Sequence, residues 1–408
     1  MNVITQKLEK LAGDKVLWAI FFFLLAVSAI EVYSATSSLV YGGKFSSYTG
    51  PITGHLKFIL IGVIIAFTLP FLYNCCRARK LLGIWLFGFL LLLTAVTLIS
   101  GNSANDARRW ISLGGFQFQP SEFLRFAYVW MLGWSIGKSK EAGLDKGKLK
   151  DDFYAVVAVA GTIAATLLVG VENNSTGLMI YGVGFLTCLI CRFHTRGWLK
   201  ITGILTLLAT ALVTLVIVTG INVGRVTTAV NRVSRHFSAP KVEVLEINDK
   251  NLQEMTGKIA IANSHLIGVG PGNSKERDSL PQAYSDFIFA IIIEELGLFG
   301  ALIVMLLYIS LLYRCGKIAS QTKNRTAGTV AIAIGITMSL QAFIHMCVAT
   351  GLGPVTGQTL PLISRGGTSM LVNCAYIGIL QNLYYFGIEK AEKKKKEEQQ
   401  SAADNNKE

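Results

Sequence analysis

Three stretches of this chain carry side chains able to do chemistry. The first reads Leu280-Pro281-Gln282-Ala283-Tyr284-Ser285-Asp286-Phe287-Ile288-Phe289 and is followed by Glu294-Glu295-Leu296-Gly297. Asp286 stands at the mouth of an apolar run, and if that run is helical the two glutamates lie about 12 to 14 Å deeper. A carboxylate so placed can take a proton from a hydroxyl or ligate a divalent cation. It can equally cap the helix, and the glutamates can serve as structural pairs. Acids inside a membrane are costly and face a polar cavity or a partner. The second stretch runs from Gly351 to Ser369 and holds so many Gly and Pro residues that no continuous helix can form. Backbone N–H groups at Gly366-Gly367, where the next apolar run starts, suit an anion such as a pyrophosphate; a tight hairpin with Ser364 as its cap is the alternative. The third, Asn102 to Glu122, contains Arg109-Trp110 and ends Gln119-Pro120-Ser121-Glu122, with Arg125 three residues further on. Pro120 suits a helix's first turn, Glu122 complements the helix dipole, and Arg125 is spaced to pair with it. On physics alone, an interfacial ion pair and an aromatic anchor account for this stretch.

The elements that must position these groups are membrane spans. Of 408 residues, 52% are hydrophobic and 15% charged, against roughly 25% charged in a soluble domain. Runs of about 20 apolar residues, enough to cross a hydrocarbon core about 30 Å thick, recur along the chain. They predict an all-α polytopic membrane protein with about ten transmembrane helices, near 16–36, 54–73, 81–100, 121–137, 153–171, 175–191, 198–220, 286–313, 327–350 and 366–386. Lys and Arg crowd alternate short loops (Arg77, Arg79, Lys80; Lys138 to Lys150; Arg192, Arg196, Lys200; Arg314 to Arg325), which places both termini in the cytoplasm. The three chemical stretches then lie outside. A long outer loop, 221–285, separates the seventh and eighth spans, with a helical stretch expected from Val242 to Ala262; a connection of that length is more often functional than idle.

The net charge of +13 is spread over the inner loops rather than gathered on one face, which points to topology and anionic lipid rather than to nucleic acid. The seven cysteines lie in or beside apolar runs, which excludes a disulfide framework, and the single CxxC, Cys188 and Cys191, reads as packing. Met1 to Asp14 is polar with spread charges, so the first span reads as an anchor rather than a cleaved leader. The segment 389–408 is charged and polar throughout and reads as a disordered cytoplasmic tail following a ten-helix domain over 1–388. No internal repeat is visible, which weakens a transporter built on inverted repeats.

Taken in order, Arg-Trp-Ile…Gln-Pro-Ser-Glu at 109–122, Leu-Pro…Asp-Phe-Ile-Phe…Glu-Glu-Leu-Gly at 280–297 and Pro-Val-Thr-Gly…Leu-Pro…Ser…Gly-Gly-Thr-Ser at 354–369 resemble the motifs of the SEDS proteins (FtsW, RodA and SpoVE), the resemblance covering about 15–388. It implies a ten-span peptidoglycan glycosyltransferase that joins lipid II disaccharide-peptides into β-1,4 glycan strands at the outer leaflet of the cytoplasmic (inner) membrane. Undecaprenyl pyrophosphate would leave, with inversion, in cell division or cell-shape maintenance.

By the resemblance Asp286 is the catalytic carboxylate, as general base or as ligand of Mg2+ or Mn2+, with no organic cofactor. Arg109, Trp110, Glu122, Arg125, Glu295, Ser364, Arg365, Gly366 and Gly367 bind substrate or support the site. A class B penicillin-binding transpeptidase (FtsI-like) and other division or elongation proteins are the implied partners. A lipid II flippase and a non-catalytic division scaffold are the competing readings; motifs gathered on one side of the membrane favour the polymerase over the flippase. The chain departs from the family pattern at Arg125, usually Lys; at Glu172-Asn173-Asn174-Ser175-Thr176-Gly177, usually Gln-Pro-Asp-Leu-Gly; at His345, usually Asn; and at Arg365, often Tyr. The Glu172–Gly177 variant and the Arg365-Gly-Gly-Thr-Ser form lean towards an FtsW-like protein.

Overall fold

Polar residues at the ends of the apolar runs decide where the helices begin and stop. A computed structural model of the chain describes residues 13–36, 49–77, 82–100, 102–104, 107–113, 116–219, 252–280, 282–322 and 324–385, together with positions 227, 228, 230 and 234. Helix α1 (Lys15–Ala35) starts at Asp14, whose carboxylate accepts from the Val16 and Leu17 N–H groups at 2.9 and 3.3 Å. Helices α2 (Thr49–Arg77) and α3 (Leu82–Ser100) follow. Helix α4 (Pro120–Ala142) has proline in its first turn and stops at Gly143, which turns left-handed. Asp152 caps α5 (Phe153–Glu172), Asn173 caps α6 (Asn174–Ile190), and α7 (Thr195–Thr219) comes next. In the long loop lies α8 (Leu252–Ala262), followed by α9 (Ile288–Gln321), the Asn324-capped α10 (Arg325–Ala349) and α11, covering 367–385.

Among the described residues, ten helices other than α8 match the ten predicted spans. Six are long and apolar enough to cross a bilayer, and two shorter apolar ones, Gly83–Ile99 and Asn174–Ile190, accompany them. Side chains such as Leu207 and Val218 on α7, and Phe299 and Ile309 on α9, are exposed. In water a surface this apolar would aggregate; in hydrocarbon it is at rest. The protein is a multi-pass membrane protein. Tail residues 389–408, Met1 to Ala12 and most of 221–251, including the first part of the expected helical stretch, lie outside the described residues.

One feature departs from an all-helical fold. Strands β1 (Asn102–Ala104), β2 (Ala107–Leu113) and β3 (Phe116–Phe118) form a small antiparallel sheet with β2 in the middle, Ile111 opposite Phe118 and Leu113 opposite Phe116.

Helix α10 is the axis of the bundle, packing on α9, α4 and α6, with 67% of its apolar window inside the protein against 6% for the peripheral α7. Its close approach to α4 rests on Gly133 and Gly137, a small-xxx-small pair. A Cβ on Gly133 would stand 2.8 Å from Val330 Cα, and one on Gly137 would meet the Thr326 backbone more closely still.

Helix α9 is interrupted at Gly297 (φ 71°, ψ −175°), a conformation closed to side-chain-bearing residues. The loop that precedes it fills the gap. Leu298 and Phe299 N–H donate to the His265 and Leu266 carbonyls at 3.3 and 3.2 Å, and Val269 and Gly270 N–H donate to the Glu294 and Glu295 carbonyls at 3.0 and 2.9 Å. A broken helix at membrane depth is tolerable because its freed groups are satisfied in this way.

Candidate functional site

Asp286 closes a tight turn that leads into α9. Ser285 and Asp286 N–H both donate to the Gln282 carbonyl, at 3.0 and 3.1 Å. Gln282 is left-handed at φ 60° to make that turn, as is Leu362 at φ 63° in the facing loop. Each such non-glycine position costs about 1–3 kcal/mol and persists only where neighbouring contacts over-determine it. The helix starts one residue later than the sequence suggests, with Phe287 as its N-cap. Asp286 itself is half-buried, and a Cβ on Gly357 would stand 3.5 Å from its Oδ2. The re-entrant loop therefore runs past the carboxylate with a residue that presents no side chain.

Ser364 staples that loop to the Asp286 turn. Its hydroxyl accepts from Leu360 N–H at 2.7 Å and donates to the Ser285 carbonyl at 2.6 Å, and Arg365 N–H donates to the Tyr284 carbonyl at 2.9 Å. Tyr308 OH donates to the Pro361 carbonyl, and Ser28 Oγ to the Ile363 carbonyl at 2.7 Å. Ser364 is 4% exposed, so it supports the site rather than facing it. The Arg365 guanidinium lies over the Tyr284 ring, 5.3 Å from its centroid. Burial pushes the Tyr284 phenol above its ordinary value; the Arg365 charge opposes that shift and the Asp286 charge adds to it. Burial also draws Arg365 below its ordinary value, though an arginine keeps its charge throughout the working pH range. Asp286, Tyr284 and Arg365 thus form one electrostatic group. Gly366 and Gly367 follow at the start of α11, with Met370 N–H bonded to the Gly366 carbonyl at 2.8 Å and Gly367 packed on the Phe58 ring.

The third stretch joins the same assembly through Gln119, whose N–H donates to Thr368 Oγ1 at 3.3 Å. In the first turn of α4, Glu122 and Arg125 form the expected ion pair, their side chains 15% and 2% exposed. Arg125 Nε and Nη1 have no partner among the described residues, and Tyr376 of α11 lies within electrostatic reach of the pair. Trp110 is half-buried on β2, which packs on α3, α4 and α5; the Arg109 side chain lies outside the described residues.

Glu295 does different work. It is fully buried and accepts from Gly272 N–H at 2.9 Å, Ser274 N–H at 3.2 Å and the Ser34 hydroxyl, while Glu294 accepts from Lys275 N–H at 2.9 Å. The pair anchors the loop before α9 to the break in that helix, so Glu295 is a structural support of the site. Sequence reasoning missed Tyr284, Gly357 and the staples Ser28 and Tyr308. Only Gly357, inside a Gly-Pro-rich stretch, carried a signal.

Among the described residues no group of three or more His, Cys, Asp or Glu side chains could hold a metal.

The model of the FtsW/RodA/SpoVE family, described as cell cycle protein, matches residues 14–387. The "Probable peptidoglycan glycosyltransferase FtsW" of Nitrosomonas europaea is 30% identical over 382 residues, covering 90% of this chain and 91% of the relative. The protein of the same name from Coxiella burnetii is 29% identical over 376 residues, covering 89% and 93%. In fold, the chain resembles one from a peptidoglycan synthase complex (TM-score 0.70, 22% identity, 91% of this chain and 98% of that one). It also resembles the Thermus thermophilus rod shape determining protein RodA (TM-score 0.60, 21% identity, 91% and 97%).

Proposed function

The chain belongs to the FtsW/RodA/SpoVE family of cell cycle proteins, and from that membership we propose that it is a peptidoglycan glycosyltransferase, polymerising lipid II into β-1,4 glycan strands with Asp286 at the reacting centre. The observation that carries the reading is the bonding of three distant stretches into one assembly that holds a half-buried carboxylate, Asp286, with Arg365 lying on the neighbouring Tyr284 ring.

A sugar hydroxyl is a poor nucleophile at neutral pH, so a carboxylate within hydrogen-bond reach accepts its proton as the new glycosidic bond forms. The bond from the donor's anomeric carbon to its pyrophosphate breaks in the same displacement, inverting that carbon and releasing undecaprenyl pyrophosphate. The leaving group gathers negative charge, which the Arg365 fork and the N–H groups at the start of α11 are placed to meet. Mg2+ or Mn2+, when bound, would add charge neutralisation at the same phosphates, with Asp286 as its protein ligand. By the family resemblance, Trp110 and the Glu122–Arg125 pair support the substrate side of the site, and the half-burial of Trp110 and the ion pair in the first turn of α4 are in line with that role.

The site faces the outside of the cytoplasmic membrane, a placement supported by the basic residues crowding the opposite loops. A class B penicillin-binding transpeptidase cross-links the strands, a pairing in line with the synthase complex from which a similar fold comes.

The test is polymerisation of labelled lipid II by the purified protein. Asp286→Asn keeps the size of the side chain and removes its charge, and should lower the rate about 10² to 10⁴-fold in a protein that still folds. Near-normal strand synthesis by that variant would overturn the assignment and favour a scaffold. Rescue by raised Mg2+ or Mn2+ would identify metal ligation, and no rescue would identify proton transfer.

A further inference from the structure

The re-entrant loop is held in two independent halves. Residues 360–366 are stapled by Ser364, Tyr308 and Ser28, as described above. Residues 356–359 have no regular secondary structure and pivot on Gly357, left-handed at φ 66°, yet they form the wall against Asp286 Oδ2. A separate set of side chains pins this half. Asn173 Nδ2 donates to the Thr356 carbonyl at 3.3 Å while its Oδ1 accepts from Ser175 N–H at 3.0 Å, so capping α6 fixes its orientation. Gln358 Nε2 donates to Thr176 Oγ1 at 2.6 Å. On α10, His345 Nδ1 bonds the Gln358 carbonyl at 2.7 Å, and Gln341 Nε2 donates to the Thr359 carbonyl at 2.8 Å. Because a carbonyl only accepts, His345 carries a proton on Nδ1. His345 is 1% exposed and Gln358 is 6% exposed, so these bonds face little competition from water.

We propose that His345, Thr176 and Asn173 are positioning residues for the transfer reaction: from α10 and the α5–α6 junction they clamp the backbone on both sides of Gly357 and so set where Asp286 points. The inference rests on the reading of Asp286 as the reacting carboxylate. Its physical content is that a glycine-hinged segment, released on one side, samples other backbone conformations. A displacement of about 1 Å at a reacting group can cost about 10²-fold in rate. Since the 360–366 half keeps its own staples, releasing the 356–359 half leaves the loop attached and the bundle folded. The loss should therefore appear in turnover under conditions where the protein remains folded.

Steady-state polymerisation with lipid II tests this on His345→Ala, Thr176→Val and His345→Asn, alongside Asp286→Asn. The first two should lose about 10- to 100-fold in kcat, with KM within about twofold of the parent protein and the protein still folded at the assay temperature, as read by its melting curve. His345→Asn should recover most of the loss, because the asparagine amide nitrogen occupies the place of the histidine Nδ1 and can donate the same bond to Gln358. Parental kcat in His345→Ala and Thr176→Val, with Asp286→Asn inactive, overturns the clamp and leaves the catalytic assignment standing. Activity in Asp286→Asn overturns the assignment itself. A kcat loss that tracks a fall in melting temperature and is not recovered by His345→Asn also overturns the clamp.

Discussion

Replacing Arg125 with alanine should destabilise the protein by about 3 kcal/mol, the low end of the roughly 3–5 kcal/mol seen when one partner of a buried ion pair is removed. The low end applies because Glu122 keeps 15% exposure while Arg125 has 2%, so water reaches the orphaned carboxylate in part. Arg125→Lys tells charge from shape. Lysine preserves the cation and gives up the planar fork, two of whose nitrogens, Nε and Nη1, have no partner among the described residues. Little is lost with them, and lysine should cost about 1 kcal/mol or less. Equilibrium unfolding in mixed micelles measures both, and a double-mutant cycle with Glu122→Gln should return a coupling above about 1 kcal/mol. If alanine and lysine fall within about 0.5 kcal/mol of each other and of the parent, the pair contributes nothing and the argument from burial is wrong.

Gly137→Leu forces a side chain into the Thr326 backbone and should destabilise the α4–α10 contact by about 3 kcal/mol, read as folded yield and unfolding midpoint; an unaffected protein would show that the helices can separate freely. Glu295→Ala removes the acceptor for the Gly272 and Ser274 N–H groups and should speed their hydrogen exchange about tenfold or more, with unchanged protection arguing against the anchor. Burial pushes the Asp152 carboxyl up, but hydrogen bonds from Ser139, His194 and the Ala155 and Tyr154 N–H groups outweigh it and hold the group below the usual carboxylate range. A lowered folded value stabilises above the unfolded value of about 3.9 and is lost as pH falls through the folded one. The acid limb of a melting profile should therefore flatten in Asp152→Asn, and an unchanged limb would refute the role. A cysteine at Ile267, which is 81% exposed, should react with a membrane-impermeant maleimide on intact spheroplasts; labelling only after permeabilisation would reverse the topology.

What the sequence by itself determined is what depends on local chemistry and on the solvent. Length and hydropathy of each run set the ten helices, because hydrocarbon demands that backbone groups be satisfied within a segment. Caps such as Asp14, Asp152 and Asn324 mark ends that can be read residue by residue. The Glu122–Arg125 pair was legible for the same reason, since three residues of helix bring two side chains to one face. The 102–118 hairpin was not, because strands of three to seven residues beside spanning helices give too short a periodicity to register. Only the tertiary structure decided which polar residues meet. Asp286 faces Gly357, Arg365 lies on Tyr284, and Glu295 holds Gly272 and Ser274, all pairings across loops. Asn173 and Thr176, from the 172–177 stretch, and His345, far apart in the sequence, turn out to share one segment, residues 356–358. Such contacts are set by how α4, α9, α10 and α11 pack, and packing depends on the shapes of all the helices at once, which no single stretch of sequence records.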